Sequence, residues 1–287
     1  TDWQSLYPFA SRYAPVDGGR LHYVDEGSGE AVVMVHGNPT WSFMYRRLIA
    51  AGRDHWRAVA VDNMGCGLSD KPQDYSYRLK QHVDNLEHLL DHVLKLDRIN
   101  LVVHDWGGAI GMGYAVRHPE KIAKLVVMNT AAFLVPHCPW RIRTCRIPGF
   151  GALAVRGLNG FARAASRMAT AQPGGLPAAV KAGFLAPYDS YRNRIATLRF
   201  VQDIPMHPSH PTWETITDIQ AKLETLRNIP MLICWGDRDF CFTQPFLDIW
   251  EERFPEAEVR HLPEAGHYLL EDAPDMLIPW IMEFIGT

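Results

Sequence analysis

The stretch Ile99-Asn100-Leu101-Val102-Val103-His104-Asp105-Trp106-Gly107-Gly108-Ala109-Ile110-Gly111 constrains the fold of this chain more than any other. A mostly apolar, β-branched run ends abruptly in a polar pair and a double glycine, and residues 111–116 then read as helix. Strand, sharp turn and helix together lift one central side chain above the carboxyl end of a sheet, and the small residues around it let the two backbones approach. That residue is Asp105. A serine in its place would need a base to remove its proton before attack. A carboxylate is already anionic at neutral pH and forms a covalent ester directly.

Around this elbow, β-type runs at 20–24, 31–35, 58–61, 99–103 and 124–128 alternate with helical patterns. The alternation predicts an α/β fold with a mostly parallel sheet and helices on both faces. In the segment 81–96, Val83, Leu86, Leu90, Val93 and Leu94 recur at helical spacing, so one face can pack on that sheet. The rhythm breaks at 132–216, which is rich in Pro, Gly, Ala and Arg and has no convincing buried strand. This reads as a helical cap inserted between two parts of a core, residues 1–131 and 217–287. The second part carries strand-like runs at 230–235 and 258–262 and a closing helix at 274–285. The cap holds ten Lys or Arg between Leu134 and Ile216 against Asp189, Asp203 and Glu214. We read them as a solvated helix face, with self-association or docking of an anionic partner as the functional alternative.

A chain of 287 residues with 47% apolar side chains buries a large core, which excludes a disordered or fibrous protein. Its net charge of -3 provides no basic field for nucleic acid, so the expected partner is a small apolar substrate. Five cysteines in odd number and without C-x-x-C pairing point to reduced thiols and a cytoplasmic setting. No apolar run approaches the roughly 20 residues of a membrane helix. A leader removed before Thr1 stays open. No metal or cofactor is expected. His88 and His92 stand four apart on a helix, but they share its polar face with Gln81 and Asp84, and His207 to His210 reads as a rigid loop.

An ester on Asp105 must be hydrolysed by a water and a base of near-neutral pKa. His267, in the loop Leu262-Pro263-Glu264-Ala265-Gly266-His267 after the last strand, is the candidate base. The turn Gly236-Asp237-Arg238-Asp239 follows the preceding strand and supplies an acid to orient that histidine; Asp239 is the choice and Asp237 the weaker claimant. The order Asp105, Asp239, His267 matches the nucleophile, acid, histidine order of α/β-hydrolases. After the second apolar strand, His36-Gly37-Asn38-Pro39 lies where backbone N–H groups meet developing negative charge. The Asn38 amide and the Trp106 indole N–H add two neutral donors suited to a weakly hydrated anion such as halide. Bracing of the loop by Asn38 and core filling by Trp106 is the structural alternative.

With His36-Gly37-Asn38-Pro39-Thr40-Trp41-Ser42, Asp62-Asn63-Met64-Gly65-Cys66-Gly67-Leu68-Ser69-Asp70, His104-Asp105-Trp106-Gly107-Gly108 and Gly266-His267, the chain from about Tyr7 to Ile285 resembles the haloalkane dehalogenases of the α/β-hydrolase superfamily. One branch of that family takes its acid from just after the strand before the cap. Here Met128-Asn129-Thr130-Ala131-Ala132-Phe133 contains none, which supports Asp239. This pattern, with the opening Tyr7-Pro8-Phe9, resembles the family's third subfamily, which overlaps the β-lactone decarboxylases of bacterial long-chain olefin biosynthesis. The resemblance implies an α/β-hydrolase fold and cofactor-free attack by Asp105. Haloalkane dehalogenation is the favoured activity, and cleavage of a cis-dialkyl β-lactone to alkene and carbon dioxide is the alternative. An epoxide hydrolase would place an aromatic at Asn38 and use cap tyrosines such as Tyr188 and Tyr191 to protonate the ring oxygen. A serine esterase lacks its Gly-x-Ser-x-Gly, and a non-catalytic scaffold is disfavoured by the intact set of three.

Overall fold

The computed structural model describes residues 3–135 and 138–286; Thr1, Asp2 and Thr287 of the expected core and Pro136 and His137 of the expected cap lie outside the described residues. Its strands are β1 (Arg12–Val16), β2 (Gly19–Glu26), β3 (Ala31–Val35), β4 (Arg57–Val61), β5 (Ile99–Asp105), β6 (Ile122–Thr130), β7 (Met231–Gly236) and β8 (Glu258–Leu262). They form one sheet in the order β1-β2-β4-β3-β5-β6-β7-β8. The β1–β2 and β2–β4 pairs are antiparallel, and every pair from β4 to β8 is parallel. β1 escapes a reading of the sequence because only Ala14 on it is buried, so neither face shows an apolar alternation, and Pro15 is tolerated at the sheet edge.

The helices are α1 (Arg46–Gly52), α2 (Leu79–Glu87), α3 (Trp106–Ala115), α4 (Trp140–Thr144), α5 (Gly160–Met168), α6 (Ala178–Leu185), α7 (Ile195–Gln202), α8 (Trp213–Lys222), α9 (Gln244–Arg253), α10 (Leu269–Asp272) and α11 (Pro274–Ile285). β3 is buried along its whole length because both faces are covered. Val33 and Val35 join a core with Val83 and Leu86 of α2, Ile110 and Met112 of α3, and Ile216 and Ile219 of α8. Val32 and Met34 face the opposite core, with Leu48 and Ile49 of α1 and Leu277 and Ile281 of α11. The expected helix at 81–96 is α2 followed by a wider π-helical run, His88–Val93, with His88 and His92 both exposed.

Between β6 and β7 all regular structure among the described residues is helical, α4 to α8. The basic residues there are not all a solvated face. Arg146 donates to the carbonyls of Val201 and Ile204, Arg156 to Gln73 and the Tyr191 carbonyl, and Arg194 to the carbonyls of Tyr188, Arg156 and Gly157. Such short helices leave many end carbonyls unbonded, and the guanidinium fork can satisfy several at once. No helix among the described residues is long and apolar enough to cross a membrane.

Candidate active site

Strand order reverses direction between β3 and β5, and an open sheet offers its crevice at the carboxyl ends of such a pair. Asp105 stands there. Its φ of +53° is a backbone conformation that L-residues rarely adopt, and α3 starts at the next residue. A side chain at Gly107 would strike the Val35 carbonyl, and one at Gly108 the Thr130 hydroxyl, so the double glycine is what lets α3 start against β3 and β6. Asp105 Oδ1 accepts the Asn38 backbone N–H at 2.6 Å, and the carboxylate also takes the Trp106 backbone N–H. Burial raises its pKa; the charge of His267 and the two N–H donors oppose that, and the net shift is upward.

Oδ2 of Asp105 faces His267 Nε2 at 3.6 Å. On its other side His267 donates from Nδ1 to Asp239 Oδ2 at 2.7 Å, which leaves Nε2 as the nitrogen turned toward Asp105. Asp239 is buried, and its Oδ1 accepts the Cys241 N–H at 2.7 Å. Burial pulls the His267 pKa down, yet the flanking carboxylates Asp239 and Asp105 outweigh it and the net shift is upward. Asp237 is exposed and bonds His261 at 2.9 Å instead. The loop bearing His267 is fixed twice: the Gly266 N–H donates to Asp272 at 2.8 Å, and His104 Nε2 donates to the His267 carbonyl at 2.8 Å. Phe242 lies face to face with the imidazole, 13° from parallel at 5.7 Å.

Asn38 and Trp106 both line the same cavity as Asp105 and His267. One Asn38 amide proton is committed to the Thr197 carbonyl of α7 at 3.1 Å, and its buried Oδ1 has no partner among the described residues. Asn38 is thus braced as well as placed, with no acceptor for its second amide proton among the described residues. Trp106 Nε1 has no partner among the described residues, and its ring tilts against Phe200 at 5.4 Å. The cavity, of about 170 Å³, is walled by apolar side chains that include Phe133, Leu134 and Ile142, Phe161 and Ala165 of α5, and Phe240 and Phe246. The tyrosines considered for ring protonation are elsewhere. Tyr188 is buried with its hydroxyl on the Thr40 carbonyl, and Tyr191 is half exposed beneath Arg156.

A reading of the sequence misses three residues at this site. His104, Cys241 and Phe242 each adjoin a residue singled out from the pattern, or follow it by two or three positions. Only their spacing from Asp105 and Asp239 hints at a role.

The α/β hydrolase fold family matches residues 30–274. The chain is 46% identical, over 98% of its length and 90% of the relative's, to a cis-3-alkyl-4-alkyloxetan-2-one decarboxylase of Shewanella oneidensis. A protein of the same name from Xanthomonas campestris is 40% identical over 97% of both chains. Haloalkane dehalogenase 2 of Mycobacterium bovis is 33% identical over 98% of this chain and 96% of its own. Among solved structures, haloalkane dehalogenase DatA of Agrobacterium tumefaciens superposes with a TM-score of 0.84 at 25% identity, over 96% of this chain and 97% of that one. The expected fold and family are both met: this chain belongs to the α/β-hydrolase fold family, among proteins that include haloalkane dehalogenases and β-lactone decarboxylases.

Proposed function

We propose that the chain is an enzyme in which Asp105 attacks a saturated carbon bearing a leaving halide or carboxylate, beneath a cap formed by residues 132–216. One observation carries the reading: Asp105 Oδ1 is pinned by the Asn38 N–H, while Oδ2 faces His267 Nε2 at 3.6 Å beside an apolar cavity. A pinned oxygen and a poised one make a nucleophile with little left to reorganise.

On a haloalkane, Oδ2 displaces halide and forms an alkyl ester, with Trp106 Nε1 and the second Asn38 amide proton receiving the departing charge. Esterification removes the negative charge of Asp105, one of the two that raise the His267 pKa. His267 thereby becomes a better candidate to deprotonate water, which attacks the ester carbon. The Asn38 backbone N–H then holds the oxyanion on Oδ1, and Asp239 steadies the imidazolium.

On a cis-dialkyl β-lactone, Oδ2 attacks the ring carbon bonded to the ring oxygen. That C–O bond breaks and leaves a free carboxylate. The bond from the carboxylate to its neighbouring carbon then breaks, its electrons form the C=C bond, and the Asp105–carbon ester bond departs as carboxylate. Alkene and carbon dioxide leave without consuming water or any cofactor. Attack at the lactone carbonyl would instead tie up the carbon that must leave as carbon dioxide.

The dehalogenase reading is supported by a relative at 33% identity, and the lactone reading by relatives at 46% and 40%. These identities favour the β-lactone as physiological substrate and haloalkane hydrolysis as an activity of the same site. Five free cysteines support a cytoplasmic setting. The test is to assay purified protein separately on 1-bromobutane and on a long-chain cis-β-lactone. Lactone turnover faster by orders of magnitude supports decarboxylation, the reverse restores dehalogenation as the main task, and inactivity on both rejects the nucleophile reading.

A further inference from the structure

Residues 140–168 span α4, a π-helical run at Ala152–Gly157, and α5. Trp140, Ile147, Phe150, Leu153, Leu158 and Met168 are exposed there, by 38% to 69%. They are half of the large apolar side chains exposed among the described residues, gathered on about a tenth of the chain, so they are not random scatter. The same stretch contains six arginines, and no Asp or Glu occurs from Leu134 to Tyr188. Arg146 and Arg156 are engaged with carbonyl oxygens, whereas Arg141, Arg143, Arg163 and Arg167 are exposed and make no ion pair among the described residues.

The two helices of this face are also cavity walls. Phe161 and Ala165 of α5 line the cavity while Arg163, Arg167 and Met168 of the same helix are exposed; on α4, Ile142 lines it while Trp140, Arg141 and Arg143 are exposed. A solvated basic face has no use for exposed Trp, Phe and Leu. Short amphipathic helices with both arginine and bulky apolar side chains outward fit the boundary between water and anionic lipid.

We propose that this face docks on an anionic bilayer surface, so that an apolar substrate or product passes between lipid and cavity without crossing bulk water. Docking stands on exposure and charge alone, while the passage rests on the apolar substrate proposed above. Each arginine near an anionic leaflet strengthens binding about fivefold, and neutralising four weakens it by more than about tenfold even when screened.

The test is co-sedimentation of the full chain with phosphatidylcholine vesicles, with and without about one-third phosphatidylglycerol. Expected is binding to the anionic vesicles, reduced by added salt. It should be lost in Arg141→Gln/Arg143→Gln/Arg163→Gln/Arg167→Gln and separately in Trp140→Ser/Leu153→Ser/Leu158→Ser, with turnover of 1-bromobutane in vesicle-free buffer unchanged in both. No binding by the wild type, or binding by either variant as strong as the wild type's, overturns the proposal. So does self-association in sedimentation velocity that the serine variant abolishes while vesicles leave the wild type in solution, which would make a second copy of the chain the occupant. Sedimentation reads docking whether or not the enzyme turns over, so failure of the Asp105 chemistry and failure of docking give different results.

Discussion

His267 donates from Nδ1 to Asp239 at 2.7 Å, while Asp237, two residues earlier on the same turn, bonds the exposed His261. The turn after β7 sends alternate carboxylates to opposite sides, and only the inward one meets the imidazole. Asp239→Asn is expected to lower turnover on the order of 10⁴-fold, as in the serine-protease triad, because the amide favours the wrong tautomer. Asp237→Asn removes a surface pair and should change turnover by less than about twofold. Comparable losses in steady-state assays of the two variants would reverse the assignment.

His267→Phe separates the two proposed chemistries. Haloalkane turnover needs His267 to activate water, so the variant should still alkylate Asp105 and then stall. Intact-protein mass spectrometry with a bromoalkane should show a stable adduct, mapped to Asp105 by peptide digestion. Lactone cleavage regenerates the carboxylate by losing carbon dioxide and consumes no water. The same variant should therefore keep alkene production close to the wild-type rate, while bromoalkane turnover falls by at least about the 10²- to 10⁴-fold of a lost general base. A lactone adduct as stable as the alkyl one would reject the decarboxylative release.

Burial raises the Asp105 pKa in the folded state above its unfolded value. A carboxyl group shifted this way binds more protons folded than unfolded. Its ionised form therefore costs stability above the folded pKa, and that cost fades as pH falls toward the unfolded value. Asp105→Asn keeps an oxygen for the Asn38 N–H and removes the buried charge, so it should melt higher than wild type at neutral pH, by roughly 2 to 4 °C for each kcal/mol recovered. The gap should close on acidification. Thermal melts in which the asparagine variant is the less stable at neutral pH would contradict this account.

The parallel half of the sheet is legible in the sequence because β3, β5, β6 and β7 are buried on both faces and read as continuous apolar runs. Asp105, Asp239 and His267 are legible because each follows one of three strands in the turn where this architecture places reacting groups. β1 is hidden by having one buried residue, and the support of His267 by His104 is hidden because it runs to a backbone carbonyl. Backbone partners leave no residue type to recognise. The bond from Asn38 to Thr197 is hidden for the same reason, and it joins positions 159 residues apart.

That bond makes the two proposed leaving-group donors unequal. Trp106 Nε1 has no competing acceptor among the described residues, whereas the Asn38 amide already holds the Thr197 carbonyl. Trp106→Phe removes a donor and little else, so it should raise the bromide dissociation constant and lower bromoalkane turnover by at most about 2.7 to 4 kcal/mol, the range for a preorganised oxyanion donor, with the melting temperature nearly unchanged. Asn38→Ala removes a donor and also removes a buried hydrogen bond to the Thr197 carbonyl of α7, a further cost of about 0.5 to 1.5 kcal/mol to the fold. It should therefore lose turnover and thermal stability together. Bromide titration by tryptophan fluorescence would lose its own reporter in the Trp106 variant, so calorimetry is the fitting measurement. If Asn38→Ala loses bromide affinity with no change in melting temperature, the contact between α7 and the site loop contributes nothing to stability, and Asn38 acts as a donor alone.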